Sequence, residues 1–302
     1  MELSPNFQNS GLLENKLNLL KKLELDFVKK TCSDLVVSYR FHGFCLRFHG
    51  DKNFVLQITS NLPQTWKLDT PLEGESFLDI YLTNNWGEDW DLEENPDCLI
   101  KKTELGETAI QRDFVGIDNV AKALVSLDEV QSDGIFNCLR WLLPRRLLSK
   151  GYFLLHSSCV VTNNKAQFFL GHSGAGKSTI ATMAEDRMVL GDDMNIMRYE
   201  NGEVYARAGG LGGLSFDSTD FSKEFPVSGF YWLNQSHIDS KEDLEVAAAV
   251  SKFMASLANI FWEYLDAKER EELLDLATKV VSSCPFYKLN FTKSKECWNN
   301  VI

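Results

Sequence analysis

Residues Gly171 to Ser178 read GHSGAGKS and fit the spacing G-x-x-x-x-G-K-[ST] without exception. That pattern suits polyphosphate binding. Several backbone N–H groups must converge on the anion, and glycine adopts the required conformations most readily. Gly171, Gly174 and Gly176 supply that freedom. Lys177 supplies positive charge for the β and γ phosphates, and the Ser178 hydroxyl is suited to Mg²⁺. His172, Ser173, Ala175 and Thr179 complete the expected nucleotide-binding stretch. A helix starting here would aim its positive end at the anion. The bland alternative is a glycine-rich turn with an exposed lysine. At glycine use of about 7%, the bare pattern arises by chance in roughly one in a hundred chains of this length. Its place between an apolar strand pattern and a helical one is the context the motif requires.

Phosphoryl transfer also needs a carboxylate for the metal and a group to take the acceptor's proton. Asp192 and Asp193 follow the next apolar run, Met188 to Leu190. In a parallel sheet that strand end shares an edge with the phosphate loop. One aspartate can hold Mg²⁺, directly or through water, and the other can act as general base. The alternative is a capping or turn pair. His156 stands at the end of an apolar run, before the strand that feeds the loop. Taken alone, it reads as a satisfied buried histidine.

These residues sit in a chain of 302 residues, long enough for two domains. The hydrophobic fraction is 44% and the charged fraction 25%, which excludes a largely disordered or collagen-like chain. A formal net charge of -12 opposes general nucleic-acid binding and attraction to anionic membranes. The seven cysteines are widely spaced, so reduced thiols in a cytoplasmic protein are expected rather than a disulfide framework or zinc knuckle. The N-terminus lacks the pattern of a signal peptide, and the apolar region 135–161 is broken by Arg140, Arg145, Arg146 and Lys150. The three arginines either meet phosphates or offset the acidic surplus. The acidic stretch 88–97 reads as a solvated loop.

Leu13, Leu17, Leu20, Leu23 and Phe27 share one face of an amphipathic helix. The segments 35–48, 54–59 and 77–83 read as strands of a small, mostly antiparallel sheet, and 99–114 supplies two more. His42 and His49 could form a metal pair, but without further ligands at matching spacing they read as ordinary structural or surface histidines. Residues 119–127 are predicted as a short helix, and 134–148 as a stronger one that Pro144 breaks or kinks. Apolar runs at 152–155 and 159–161 flank His156. Thr162 to Lys165 reads as a tight hairpin turn, and 167–170 as a buried strand. Asn201-Gly202 signals a two-residue hairpin between 196–199 and 204–206. Residues 244–257 and 268–281 look helical, and 286–291 reads as a closing strand.

The segments LLHSSCVV, FFLGHSGAGKSTIA and VLGDDMNIM, in that order, resemble the bacterial HPr kinase/phosphorylase family and its relatives. Those proteins share a phosphate-loop core with ATP-dependent phosphoenolpyruvate carboxykinase. The specific match covers about 155–197, with looser similarity from about 135 onward. The resemblance implies Lys177 as the kinase lysine, Ser178 as a Mg²⁺ ligand, Asp193 as the catalytic acid/base and His156 as a catalytic participant. Asp192 is the expected second metal-binding residue. The family's Glu-x-Arg-Gly-x-Gly signature is altered: the nearest stretch, ARAGGLGG at 206–213, keeps Arg207 and glycines but not the glutamate. That puts phosphorolysis, and HPr itself as substrate, in doubt.

The resulting expectation is an α/β chain, α+β overall. A smaller N-terminal α+β domain over 1–130 precedes a phosphoenolpyruvate-carboxykinase-like P-loop kinase domain over 131–302. ATP and Mg²⁺ are the expected cofactors. The acceptor is a hydroxyl, a serine of a protein or peptide, with a small-molecule acceptor or a nucleotide-sensing pseudokinase as alternatives. No nucleic-acid or membrane partner is expected, and homo-oligomers fit the resemblance.

Overall fold

The structure, a computed structural model, describes residues 18–23, 25, 35–69, 76–84, 99–111, 113–127, 133–211, 213, 223–257 and 265–301. It is a mixed α/β protein with two large mixed sheets. The chain divides into two compact units, Met1–Leu142 and Leu143–Ile302. The division falls after the helix at Asp133–Leu142, whereas the sequence reading placed it at 130/131. No helix among the described residues is long and apolar enough to cross a membrane.

In the first unit, residues 18–23 and 25 are helical, with Leu19, Leu20 and Leu23 buried. Leu13, Leu17 and Phe27 lie outside the described residues, as does the acidic stretch 88–97. The elements that follow are β1 (Leu35–Phe41), β2 (Phe44–Gly50), α1 (Lys52–Thr59), β3 (Lys67–Leu68), β4 (Ser76–Thr83), β5 (Leu99–Thr103), β6 (Gly106–Ile110), β7 (Phe114–Asp118), β8 (Lys122–Leu127) and α2 (Asp133–Leu142). The strand order is β3-β1-β2-β4-β8-β7-β6-β5. The sheet is larger than expected and mixed, because β4 runs parallel to both β2 and β8.

Two expectations fail here. Residues 54–59 form helix α1, not a strand. The Asp51 side chain caps it by accepting from the N–H groups of Asn53 and Phe54. Phe54, Val55 and Ile58 are buried at helical spacing, so the aromatic and β-branched texture reflects a core-facing helix. Residues 119–127 form a turn and strand β8, not a helix. The turn is fixed locally: Asp118 Oδ1 accepts from Val120 N at 3.0 Å and Asn119 Oδ1 from Lys122 N at 3.0 Å. His42, near the β1–β2 turn, packs edge-on to Phe41.

His49 is spent on structure. It stacks on Tyr81 with ring centroids 4.5 Å apart and bonds Asp79 at 2.7 Å. Arg47 forms a bidentate pair with the same carboxylate, both bonds at 2.6 Å, over the Phe77 ring. Burial opposes ionisation of Asp79, but Arg47 and His49 overcome it and hold the carboxyl below its ordinary value of 3.8. Its stabilising contribution is therefore complete above that value and is lost as the pH falls through the lower folded-state value. Asp79→Asn is expected to lower the stability of the first unit by about 1–3 kcal/mol at pH 7. Hydrogen-exchange protection of β2 amides measures this; unchanged protection would show that the pair contributes nothing.

The second unit contains α3 (Pro144–Leu148), β9 (Tyr152–Thr162), β10 (Lys165–Leu170), α4 (Lys177–Thr182), β11 (Met188–Gly191), β12 (Met194–Glu200), β13 (Glu203–Ala208), β14 (Phe225–Gln235), β15 (Ser240–Asp243), α5 (Val246–Ser256), α6 (Ala267–Ser283) and β16 (Phe286–Phe291). Pro144 opens α3 and separates it from α2, as the pattern at 134–148 predicts. Asn163 and Asn164 turn the β9–β10 hairpin with φ of 52° and 60°. Asn201-Gly202 turns β12 into β13.

Long strands tie this unit together. The first half of β9 pairs with β12 and its second half with β10. The start of β14 pairs with β13, and its remainder lies parallel to β10 and β16. The pairings β10-β9-β12-β13-β14 therefore return to β10. Alternation along β10 divides the core: Phe168 and Leu170 face Phe230, Trp232 and Phe253, with α5 and α6 on that side. Phe169 faces Tyr231, Leu233 and Trp298, with Ile180 of α4 on the opposite side.

Candidate phosphate-binding site

Strand β10 is buried on both faces and ends at Leu170, so the chain leaves the sheet directly into the glycine-rich loop. The loop crosses Gly171 to Gly176 and enters α4 at Lys177. Gly174 and Gly176 hold φ of 75° and 105°, conformations that side chains rarely adopt. A Cβ on Gly176 would sit 2.5 Å from the Phe291 ring. Gly176→Ala is accordingly expected to cost about 2–4 kcal/mol from backbone strain and overpacking. Wild-type stability in this variant would refute the strained-loop description.

His172, Ser173, Gly174 and Ser178 are exposed, Gly171, Ala175, Gly176 and Thr179 are half-buried, and Lys177 is buried. The Lys177 ammonium donates to the carbonyls of Gly171 at 2.9 Å and His172 at 3.1 Å. Burial pushes its pKa down, and the negative charge of Asp193 pulls it partly back. Gln235 steadies the loop by donating to the Gly174 carbonyl at 2.8 Å.

Strands β10 and β11 both run antiparallel to β9, so they point the same way and their ends share an edge. Asp192 and Asp193 occupy the bend between β11 and β12, both of which pair with β9. This edge-sharing is what the sequence pattern required. His156 differs from expectation: it lies within β9 rather than at a strand end, because Ser157 and Ser158 continue the strand. Its Nε2 lies 3.1 Å from Asp193 Oδ1, with both side chains partly exposed. The structure thus brings His156 and Asp193 into contact on the sheet edge from which the Lys177 loop leaves β10.

Neighbours that the sequence reading missed fix the aspartate bend. Ser157 N donates to the Asp193 carbonyl at 2.8 Å, and Ser158 Oγ to that of Asp192 at 3.2 Å. Buried Asn195 donates to the carbonyls of Ser157 at 2.7 Å and Gly191 at 3.2 Å. Gly213, with φ of 80°, passes so close that a Cβ there would meet Asp192 Oδ1 at 2.3 Å. A polar residue inside an apolar strand, Asn195, was the available signal. Arg207 also has a partner the local stretch lacked: Glu224 lies 2.7 Å from its Nε as an ion pair and accepts a hydrogen bond from Arg198 Nε at 2.8 Å. Burial raises the Glu224 pKa, but the two arginines outweigh it and hold the carboxyl low.

The oxygen chemistry of Ser178 and Asp192 suits Mg²⁺ accompanied by a polyphosphate. Ser178 and Asp192 offer hard oxygen ligands, and Mg²⁺ usually completes its shell with phosphate oxygens and water. Among the described residues no group of three His, Cys, Asp or Glu side chains forms a self-sufficient metal cage. The buried ammonium of Lys177 and the left-handed Gly176 fit the polyphosphate itself. The described cysteines Cys45, Cys138, Cys159, Cys284 and Cys297 are buried free thiols. No protein-family model matches the chain, and no curated protein matches it.

Proposed function

We propose that the Leu143–Ile302 unit is a Mg²⁺- and ATP-dependent kinase of the HPr-kinase-like, phosphoenolpyruvate-carboxykinase-like type, which phosphorylates a serine hydroxyl of a protein or peptide. The observation that carries this reading is the His156–Asp193 contact at 3.1 Å on the sheet edge from which the glycine-rich loop also leaves β10. A general base and an electrophilic cradle are then parts of one site.

Ser178 and Asp192 would hold Mg²⁺, which would supply charge neutralisation to the donor's phosphates. Lys177 exchanges its loop carbonyls for phosphate oxygens and stabilises charge on the transferred group. Asp193 accepts the acceptor hydroxyl's proton as that oxygen bonds to the γ phosphorus and the bond to the bridging oxygen breaks. His156 orients the Asp193 carboxylate.

Transfer of ³²P from γ-labelled ATP to host extract, using wild type and Lys177→Ala, tests the proposal. Acid-stable label on a hydroxyl that requires Lys177 supports it. MgATP binding without transfer would favour a nucleotide-sensing adaptor, the reading suggested by the glutamate missing from 206–213.

A further inference from the structure

The two flanks of the phosphate loop carry different titratable groups. On the β9 flank of β10 stand His156 and Asp193. On the β14–β16 flank stand two ammonium groups, Lys252 of α5 and Lys288 of β16. Lys252 Nζ lies 4.1 Å from the centroid of Trp232, and the His172 ring of the loop packs edge-on to that same indole at 5.0 Å. Lys288 is the β16 residue in register with Trp232.

Among the described residues Lys252 has no carboxylate within salt-bridge distance; the charged neighbour that acts on it is Lys288. Burial, then Lys288, pushes the Lys252 pKa down. Lys288 has a loose pairing with Glu242 at 3.8 Å, and the other Glu242 oxygen is taken by the Asn290 amide at 3.0 Å. An ammonium held on an aromatic face beside a second ammonium is an arrangement that an arriving anion stabilises.

In-line transfer fixes which anion. The attacking and leaving oxygens lie on opposite sides of the transferred phosphorus. With Asp193 activating the acceptor on the β9 flank, the rest of the donor extends toward β14 and β16. We infer that Lys252, supported by Lys288, binds the α-phosphate of the nucleoside triphosphate donor. This inference rests on the kinase reading above.

Calorimetric titration with inorganic tripolyphosphate and with pyrophosphate, each with Mg²⁺, tests it. Lys252→Met is expected to weaken tripolyphosphate about tenfold while leaving pyrophosphate within about twofold, the effect of losing one charged contact. Lys288→Met should shift the same preference in the same direction, and Lys252→Arg should retain it. Unchanged tripolyphosphate affinity in both methionine variants overturns the inference and leaves the phosphate loop intact. Equal weakening of both anions overturns it too, because Lys252 would then serve the loop itself. If wild type binds neither anion, the phosphate-loop reading fails and takes this inference with it.

Discussion

Asp193→Asn is expected to slow phosphoryl transfer by about 10²–10⁴-fold, the range for removing a general base. The amide keeps the shape of the side chain but cannot take the acceptor's proton. Asp193 is held by its main chain through Ser157, so the bend between β11 and β12 should survive the substitution. MgATP affinity should stay close to wild type, and the loss should fall on turnover. Single-turnover transfer together with nucleotide titration separates the two. A wild-type rate in Asp193→Asn would remove the proposed base.

Lys177→Ala is expected to lower turnover by about 10²–10³-fold, the scale for losing one preorganised contact to transition-state charge. Nucleotide affinity should fall with it, because the same ammonium serves the ground state. The side chain is 7% exposed, and its nearest partners are the Gly171 and His172 carbonyls. Those carbonyls keep the ammonium hydrogen-bonded while it waits; a phosphate is the stronger partner because it carries opposite charge. Lys177→Arg should recover little, since a longer planar guanidinium does not fit where a compact ammonium reaches two loop carbonyls. Wild-type activity in Lys177→Ala would detach the loop from the chemistry.

The glycine-rich loop at 171–176 and the helix after it were legible because their demands are local. Gly174 and Gly176 are required by backbone φ, and a buried strand must precede them. The hairpins at Asn163-Asn164 and Asn201-Gly202 and the closing strand Phe286–Phe291 were legible for the same reason: short-range turn chemistry and an aromatic-rich strand pattern. Helix α1 was misread because Phe54, Val55 and Ile58 carry strand propensity while their spacing and the Asp51 cap make a helix. The strand at Lys122–Leu127 was misread because the turn before it, not its own composition, sets its course. His156 was placed at a strand end because the serines after it look like loop residues. In the fold they extend β9 and hold the backbone of the two aspartates. The pairing of Arg207 with Glu224 joins residues that only the strand topology brings together.

The measurement closest to the central claim is calorimetric titration of the folded chain with ATP, with and without Mg²⁺. One Mg²⁺-dependent nucleotide site per chain, lost in Lys177→Ala, is the predicted result. Absence of Mg²⁺-dependent uptake of any purine nucleotide by the folded protein would contradict the account at its base.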